Sequence, residues 1–199
     1  MKHAPLPSRR RIIVAISGAS GAVYGLRLLQ RLRATPDIET HVLVSEAGWC
    51  NLELETGMTR NTLATWADQL HDTRDLGACV ASGSFPCAGM VVAPCSMRTL
   101  AAIAQGLGDN LITRAADVTL KERRRLVLMV RETPLSLIHL RNMVSATEAG
   151  AIICPPVPAF YLHPQSVDEV VAHSVTRVLD LLDVPQPQAV RWAGLAPVV

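Results

Sequence analysis

The sequence has few aromatic residues, no closely spaced cysteine pair and little net charge. Aromatic residues make up only 4% of the chain, which argues against a surface that stacks nucleic-acid bases. The five cysteines are an odd number and none stands in a Cys-x-x-Cys pair, so neither a disulfide framework nor a zinc site is predicted. A net charge of +2 is too balanced for a dedicated nucleic-acid binder. Together these absences favour a protein of the reducing cytoplasm whose thiols are mostly buried.

No apolar run in the sequence has the length of a membrane span or of the hydrophobic region of a signal peptide. The run that follows the basic N-terminus covers only residues 12–16, whereas a membrane helix needs about 20 apolar residues. With 49% hydrophobic and 18% charged residues, the composition excludes a disordered or low-complexity chain. The sequence predicts one cytoplasmic domain over residues 1–199, with flexible tails at residues 1–10 and 193–199.

Short apolar runs alternate with helical patterns along the chain. Buried strands are predicted at residues 12–16, 40–44, 90–93, 126–130 and 151–154. Helices are predicted at residues 22–33, 99–105, 136–149 and 166–182. Continuous apolar strands separated by helices indicate a parallel sheet covered on both faces. The predicted fold class is therefore α/β, with a three-layered, doubly wound parallel sheet.

Two stretches have no regular pattern. Residues 59–85 mix helical and polar pieces and remain unassigned. Residues 155–164 contain four prolines and are predicted to form an irregular loop. Because this loop follows a strand, it is expected at the carboxyl edge of the sheet, where ligands bind in open α/β folds.

Two turns between a strand and a helix are candidate ligand sites. The first, residues 17–21, reads Ser-Gly-Ala-Ser-Gly, in which glycine lets the backbone approach a ligand and the following helix start favours an anion. Its glycine spacing does not match Gly-x-Gly-x-x-Gly, so a dinucleotide site is poorly supported. The second turn, residues 94–99, offers hydroxyls and free N–H groups at another helix start. Each turn alone is equally typical of a serine-capped helix, but two in one sheet favour a mononucleotide or flavin phosphate site.

Several other polar or reactive residues have competing interpretations. Arg131 and Glu132 follow a predicted buried strand, where charge is costly without a ligand or partner, so a functional role is favoured. Tyr161, in the proline-rich loop, is equally typical of packing and of a site. Cys95 has no identifiable activating base, so a buried, inert thiol is the better interpretation. No histidines in the sequence stand at metal-ligand spacing.

Several longer motifs occur in the order found in one enzyme family. They are Ser-Gly-Ala-Ser-Gly at 17–21, Arg-Ala-Ala-Asp at 114–117, Leu-Lys-Glu-Arg-Arg at 120–124, Arg-Glu-Thr-Pro at 131–134, and Pro-Ala-Phe-Tyr at 158–161 followed by Pro-Gln-Ser at 164–166. With them the sequence resembles the UbiX-type flavin prenyltransferases from about residue 10 to residue 194. It departs from many relatives at residues 46–49 and at residues 97–98.

The resemblance implies a flavodoxin-like fold, a dodecamer with sites at subunit interfaces, and a defined reaction. Members of the family transfer a dimethylallyl group from dimethylallyl phosphate to reduced FMN, forming a ring that joins flavin N5 and C6. The prenylated FMN then serves UbiD-type decarboxylases, which act in ubiquinone synthesis and on aromatic acids. No metal is implied, and the sequence has no Asp-Asp-x-x-Asp motif for a magnesium-bound pyrophosphate.

The resemblance also implies roles for individual residues. The residues expected to hold FMN are Gly18, Ala19, Ser20, Ser45, Ser96, Thr99 and Arg114. Those expected to hold the donor phosphate are Lys121, Arg131, Tyr161 and Arg177. The residues expected to act in catalysis are Glu132 as the acid/base carboxylate, Ser20 near the isoalloxazine, Glu55 lining the site and Trp192 near the prenyl group.

Two other functions stay open at this point. FMN-dependent cysteine decarboxylases share the fold, but they carry Pro-Ala-Ser-Ala-Asn-Thr where this sequence has Pro-Cys-Ser-Met-Arg-Thr at 94–99, and the missing asparagine counts against them. A non-catalytic flavin-binding subunit of a decarboxylase is the other alternative. The joint presence of the expected phosphate ligands and Glu132 favours an intact active site instead.

Overall fold

The computed structural model describes residues 9–187, 189, 191 and 194, and a six-stranded sheet lies at its centre. The strands are β1 (Arg10–Ile16), β2 (Ile38–Val44), β3 (Gln69–His71), β4 (Gly89–Cys95), β5 (Arg125–Val130) and β6 (Ile152–Ile153). Their order across the sheet is β3-β2-β1-β4-β5-β6, and every neighbouring pair is parallel. The order reverses at β1 and β4, which confirms the predicted doubly wound topology and opens a crevice at the carboxyl ends of these two strands.

Helices cover both faces of the sheet. They are α1 (Ala22–Arg33), α2 (Glu46–Thr56), α3 (Arg60–Ala64), α4 (Met97–Ala104), α5 (Leu111–Lys121), α6 (Leu137–Glu148) and α7 (Val167–Leu181). One buried cluster joins the sheet to α1, α2, α3 and α7, and the other joins it to α4, α5 and α6. The three predicted layers are thus confirmed.

The continuous apolar runs of the sequence are explained by burial on both faces. In β1, Ile12, Val14 and Ile16 belong to the first cluster, whereas Ile13 and Ala15 belong to the second. Successive side chains of a strand point to opposite faces, so a strand covered on both sides needs apolar residues throughout. Each fully buried aliphatic side chain contributes about 1.5–3 kcal/mol, which makes the central strands the stable frame for the loops at their ends.

Several boundaries differ from the prediction. Arg10 begins β1 rather than belonging to a tail, and β4 continues through Pro94 to Cys95. Helix α2 was not predicted because Gly48 and Leu52 are its buried residues, which is too few for an apolar stripe. The unassigned residues 59–85 contain α3, the edge strand β3 and a 3₁₀ turn at Cys79–Ala81.

Candidate functional site

The two predicted turns meet at the crevice between β1 and β4. Ser17 is fully buried, its Oγ donates to the carbonyl of Pro94 at 2.9 Å, and the same oxygen accepts from the backbone N–H of Ser96 at 2.8 Å. One serine hydroxyl therefore fastens the end of β1 to the end of β4. This joint fixes the spacing of the two turns at the place where open α/β folds bind their ligands.

The first turn passes too close to α2 for a side chain at one glycine. A Cβ added at Gly18 would lie 2.4 Å from Cβ of Ala47, a distance that would force the backbone to move. Gly21 has φ 103°, a left-handed conformation that favours glycine. Between them, Ala19 is buried and Ser20 is exposed.

The start of α1 is occupied by a carboxylate of the chain itself. Oε2 of Glu55, on α2, accepts from the backbone N–H groups of Gly21 and Ala22, each at 2.9 Å. A carboxylate at this position satisfies free amides and complements the helix dipole. The anion that this helix start was predicted to favour is, at these two amides, the carboxylate of Glu55. Glu55 does lie at the first turn, as the family resemblance implies.

Three of the hydroxyls expected to hold FMN act in helix caps. Oγ of Ser45 accepts from the N–H of Gly48 at 3.0 Å at the start of α2. Oγ of Ser96 accepts from the N–H of Thr99 at 3.3 Å and donates to Oγ1 of Thr99 at 3.1 Å at the start of α4. Such caps contribute about 1 kcal/mol each and leave other amides of the helix start free for a ligand.

Surface ion pairs occupy residues 46–49 and 97–98, the two segments expected to differ from many relatives. Glu46 pairs with Arg60 at 3.1 Å, and the guanidinium of Arg60 lies 4.6 Å from the centre of the Trp49 ring. Arg98 pairs with Asp109 at 2.6 Å. All four charged side chains are more than half exposed, so these pairs contribute little to stability.

Arg131 and Glu132 lie at the carboxyl edge beside the second turn. The backbone N–H of Arg131 donates to the carbonyl of Cys95 at 3.1 Å, and Oε1 of Glu132 accepts from the N–H of Thr133 at 3.0 Å. Both residues are exposed in the chain, so water solvates their charges. The inference from buried charge was therefore wrong in its reasoning, although the two residues do lie next to the crevice.

Arg114 and Lys121 both lie on α5. Within one chain, Lys121 lies at the opposite end of β5 from Arg131. Arg114 pairs with Asp117 at 2.7 Å and donates from Nε to the carbonyl of Ala81 at 3.2 Å. Lys121 ends α5 and pairs with Glu122 just before β5 begins, which places it at the amino edge of the sheet. A strand as long as β5, about 20 Å at 3.3 Å per residue, separates that edge from Arg131.

Tyr161 and Arg177 line a groove of about 670 Å³ on the outer side of α7. Its polar lining also includes Arg31, His173, Asp180 and Arg191, but neither turn of the crevice nor Arg131. Arg191 binds both carboxylate oxygens of Asp180, at 2.9 and 2.7 Å. Within the described residues, Nδ1 of His173 is buried and has no hydrogen-bond partner.

Arg31, His173 and Arg191, which line the groove with Tyr161 and Arg177, were not predicted as site residues. His173 and Arg177 stand four residues apart, so they share a face of α7, and this spacing was a usable signal. Arg31 lies on α1, far along the chain, and no sequence pattern indicated its place beside Arg177. Trp192, expected near the prenyl group, lies outside the described residues.

Cys95 is a buried thiol, as predicted. It is fully buried at the end of β4, and burial raises its pKa to about 12. A thiol that stays protonated at neutral pH is neither a nucleophile nor a metal ligand. Catalysis by Cys95 is therefore not supported.

We expect the native protein to protect Cys95 from alkylation while Cys50 reacts. Cys50 is exposed, whereas Cys95 is both buried and protonated. Timed iodoacetamide labelling at pH 7.5, followed by peptide mass spectrometry, measures the two rates. Labelling of both cysteines at one rate before unfolding would contradict the assignment of Cys95.

The chain matches known flavoproteins over most of its length. A protein-family model described as flavoprotein matches residues 3–182. The flavin prenyltransferase UbiX of Neisseria meningitidis is 54% identical over 187 residues, covering 94% of this chain and 98% of the relative. UbiX of Escherichia coli K12 is also 54% identical, covering 93% of this chain and 99% of the relative.

Solved structures give the same result. A crystal structure of AnUbiX in complex with FMN and dimethylallyl pyrophosphate has a TM-score of 0.91 and 50% identity, covering 94% of this chain and all of that one. A dodecameric FMN-dependent UbiX-like decarboxylase from Escherichia coli O157:H7 has a TM-score of 0.90 and 49% identity, covering 92% of this chain and all of that one. The cysteine decarboxylase TvaF is only 18% identical, with a TM-score of 0.59, so it shares the fold alone.

Proposed function

This chain belongs to the flavoprotein family, as a flavin prenyltransferase, and we propose that its β1–β4 crevice holds reduced FMN for transfer of a dimethylallyl group to N5 and C6. The observation that carries this proposal is the pair of turns that Ser17 joins, in a chain 54% identical to named flavin prenyltransferases. In the reaction the allylic C–O bond breaks and its electron pair leaves with the phosphate. N5 bonds to the freed allylic carbon and loses its proton. The double bond of the prenyl group then gains a proton, and its tertiary carbon bonds to C6, which loses a proton.

FMN, as a substrate, fits the crevice by its chemistry. Gly18 lets the first turn pack directly against Ala47 of α2, and α4 presents free amides behind Ser96. We assign the flavin and its phosphate to the residues expected from the resemblance, Gly18, Ala19, Ser20, Ser45, Ser96, Thr99 and Arg114. Glu55 positions the first turn through the amides of Gly21 and Ala22 and thereby lines the site.

The donor phosphate is assigned to Lys121, Arg131, Tyr161 and Arg177. Each charged hydrogen bond to the departing phosphate contributes about 1.5–3 kcal/mol. In one chain these residues lie at the amino edge, at the carboxyl edge and in the α7 groove, so a single copy does not assemble the set. The donor site therefore requires several copies of the chain.

An oligomer of this chain, with a dodecamer as the proposed size, provides those copies. The similar structure from Escherichia coli O157:H7 is dodecameric. On and just before α6, apolar side chains are exposed in the single chain: Leu135, Leu137, Ile138, Leu140 and Val144. An exposed apolar patch of this kind is typical of a protein interface.

Glu132 is the proposed acid and base of the reaction. It directly follows Arg131 after the carboxyl end of β5, and its side chain is exposed. Glu132 would donate a proton to the leaving phosphate oxygen and then accept the proton from C6. Ser20 at the crevice mouth and Trp192 near the prenyl group complete the proposed catalytic set, and an aromatic face near an allylic cation is favourable.

We propose dimethylallyl phosphate as the donor and a UbiD-type decarboxylase as the recipient of the product. Three cationic side chains suit a monoester, which carries less charge than a pyrophosphate. Five free cysteines suit the reducing cytoplasm proposed as the site of action. Among the described residues, no helix is long and apolar enough to cross a membrane.

We expect calorimetry to show FMN binding and no NAD binding. The crevice is lined by two turns at helix starts, and the first does not have the glycine spacing of a dinucleotide site. FMN should bind to the oligomer with one molecule per chain. Comparable affinity for NAD, or no heat with FMN, would contradict the proposed crevice.

We expect prenyl transfer to continue in excess EDTA. The charge of the leaving phosphate is met by Lys121, Arg131 and Arg177 in this proposal, so no magnesium ion is needed. Turnover of dimethylallyl phosphate and reduced FMN is followed by mass analysis of the flavin. Loss of turnover in EDTA with recovery on adding Mg²⁺ would overturn the assignment of these three residues.

A further inference from the structure

Two histidines and a cysteine converge on the sheet face beneath the 3₁₀ turn. His41 lies in β2, His71 ends β3 and Cys79 begins the turn. Nδ1 of His41 lies 2.9 Å from Nε2 of His71. One ligand atom from each of the three residues lies within 4.8 Å of the other two. The separations in sequence are long, but the adjacent parallel strands and the turn bring the three side chains together.

The separation of the two ring nitrogens, 2.9 Å, is close to that of two ligands in a tetrahedral zinc site. With Zn–N bonds near 2.0–2.1 Å and Zn–S bonds near 2.3 Å, two nitrogens are about 3.3 Å apart and a nitrogen and a sulfur about 3.6 Å apart. To bind one ion, the two ring nitrogens need to separate by about 0.4 Å. The rings, now 14° from parallel with centroids 5.2 Å apart, also need to turn so that both lone pairs face the ion. Cys79 is exposed, so the ion has a path from solvent and a fourth position for water.

Nε2 of His41, the ring nitrogen that does not contact His71, is hydrogen-bonded to a carboxylate, as is common for a metal-binding histidine. Nε2 of His41 lies 2.9 Å from Oε1 of Glu39, and Arg11 donates to Oε2 of the same carboxylate at 3.1 Å. Burial raises the pKa of Glu39, but hydrogen bonds from His41 and Arg11 outweigh that effect and lower the pKa overall. When Nε2 of His41 donates to this carboxylate, the lone pair of the neutral ring lies on Nδ1, the atom that faces His71. Carboxylate–histidine pairs of this kind orient metal-binding imidazoles.

Burial favours the neutral form of both rings. Burial lowers the pKa of His41 and His71, and the nearby His41 lowers that of His71 further. The ring of Phe85 packs edge-on against His41 with centroids 4.9 Å apart, and the guanidinium of Arg11 lies 4.7 Å from the centre of the Phe85 ring. This apolar cover limits the water that reaches the inner side of the cluster.

We propose that His41, His71 and Cys79 form a zinc-binding site, with water as the fourth ligand. Zn²⁺ binds Nδ1 of His41, Nε2 of His71 and the thiolate of Cys79. The proton now shared between the two rings moves to Nδ1 of His71, and the thiol proton goes to solvent. Imidazole and thiolate ligands select Zn²⁺ over Mg²⁺ or Ca²⁺. The site ties β2 and β3 to the 3₁₀ turn and includes none of the residues assigned to prenyl transfer.

Zinc titration of the full-length oligomer tests the site. The protein, stripped with a chelator and kept reduced, is titrated with Zn²⁺ by calorimetry and with Co²⁺ by absorbance. We expect one ion per chain and a thiolate-to-cobalt charge-transfer band. Cys79→Ser should abolish that band and weaken zinc binding at least as much as loss of an outer-shell partner, roughly 10–100-fold. Cys50→Ser, at an exposed cysteine outside the cluster, should bind as the wild type does.

A second variant separates ligation from damage to the fold. His71→Gln, at the end of the edge strand β3, should also weaken zinc binding, while FMN binding and circular dichroism stay unchanged. Added Zn²⁺ should raise Tm in the wild type and in Cys50→Ser but not in Cys79→Ser. No zinc bound by the wild type, or equal binding by Cys79→Ser, would overturn the proposal. Neither result would affect the proposed prenyl transfer, which EDTA is expected to leave intact.

Discussion

Replacing Glu132 with glutamine is expected to slow prenyl transfer by about 10²–10⁴-fold, the usual effect of losing an acid/base group. The N–H of Thr133 donates a hydrogen bond to Oε1 of Glu132 at 3.0 Å. The glutamine side chain keeps an oxygen that accepts this bond, so the local backbone should not change. FMN binding should also stay unchanged, because Glu132 is not among the proposed flavin ligands. Single-turnover formation of prenylated FMN, measured by mass spectrometry, gives the rate of the chemical step.

A glutamate elsewhere at the surface provides the control for this variant. Glu148 is exposed at the end of α6, so Glu148→Gln removes the same charge without touching the crevice. It should turn over as the wild type does. Wild-type turnover of Glu132→Gln across the pH range would show that another group moves the protons.

The sequence predicted the fold well wherever burial dictates residue type. The central strands β1, β4 and β5 are covered on both faces, so each appears as an unbroken apolar run. The missed elements lack that constraint. Helix α2 buries too few residues to show a period, and β3 is a short edge strand whose residues are partly or fully exposed.

The two turns of the site could be predicted from the sequence, but the way in which the sheet brings them together could not. Glycines and serines between a strand and a helix indicate the crevice, because these residue types suit close backbone approach and helix caps. The joint that Ser17 makes between two strands required the order of the sheet, which no local pattern shows. The cluster of His41, His71 and Cys79 was missed for the same reason, because metal-ligand spacing was sought only along the chain.

The sequence was sufficient to predict at which edge of the sheet Lys121 lies. A helix that ends directly before a parallel strand ends at the amino edge of the sheet. The predicted strand at residues 126–130 thus placed Lys121 opposite the carboxyl edge, where Arg131 and Glu132 follow the strand. This separation within one chain indicates that a donor site containing all three residues takes Lys121 from another copy.

Two inactive variants should therefore restore activity when they assemble together. In Lys121→Ala and in Glu132→Gln, every site of a uniform oligomer lacks one group. In randomly mixed oligomers of equal amounts, about a quarter of the sites should combine a wild-type Lys121 from one copy with a wild-type Glu132 from another. We expect co-expressed variants to recover about a quarter of wild-type turnover, well above either variant alone.

The control for this experiment pairs two variants on the same side of the sheet. Arg131 and Glu132 are neighbours at the carboxyl edge, so a single copy supplies both to a site. Mixed oligomers of Arg131→Ala and Glu132→Gln then contain no site with both groups and should show no recovery beyond the turnover of the separate variants. Recovery in this control pair, or none in the pair with Lys121→Ala, would contradict a donor site shared between copies. Native mass spectrometry of the co-expressed protein checks that both variants enter one oligomer. A lack of recovered turnover then cannot result from a failure of the variants to assemble together.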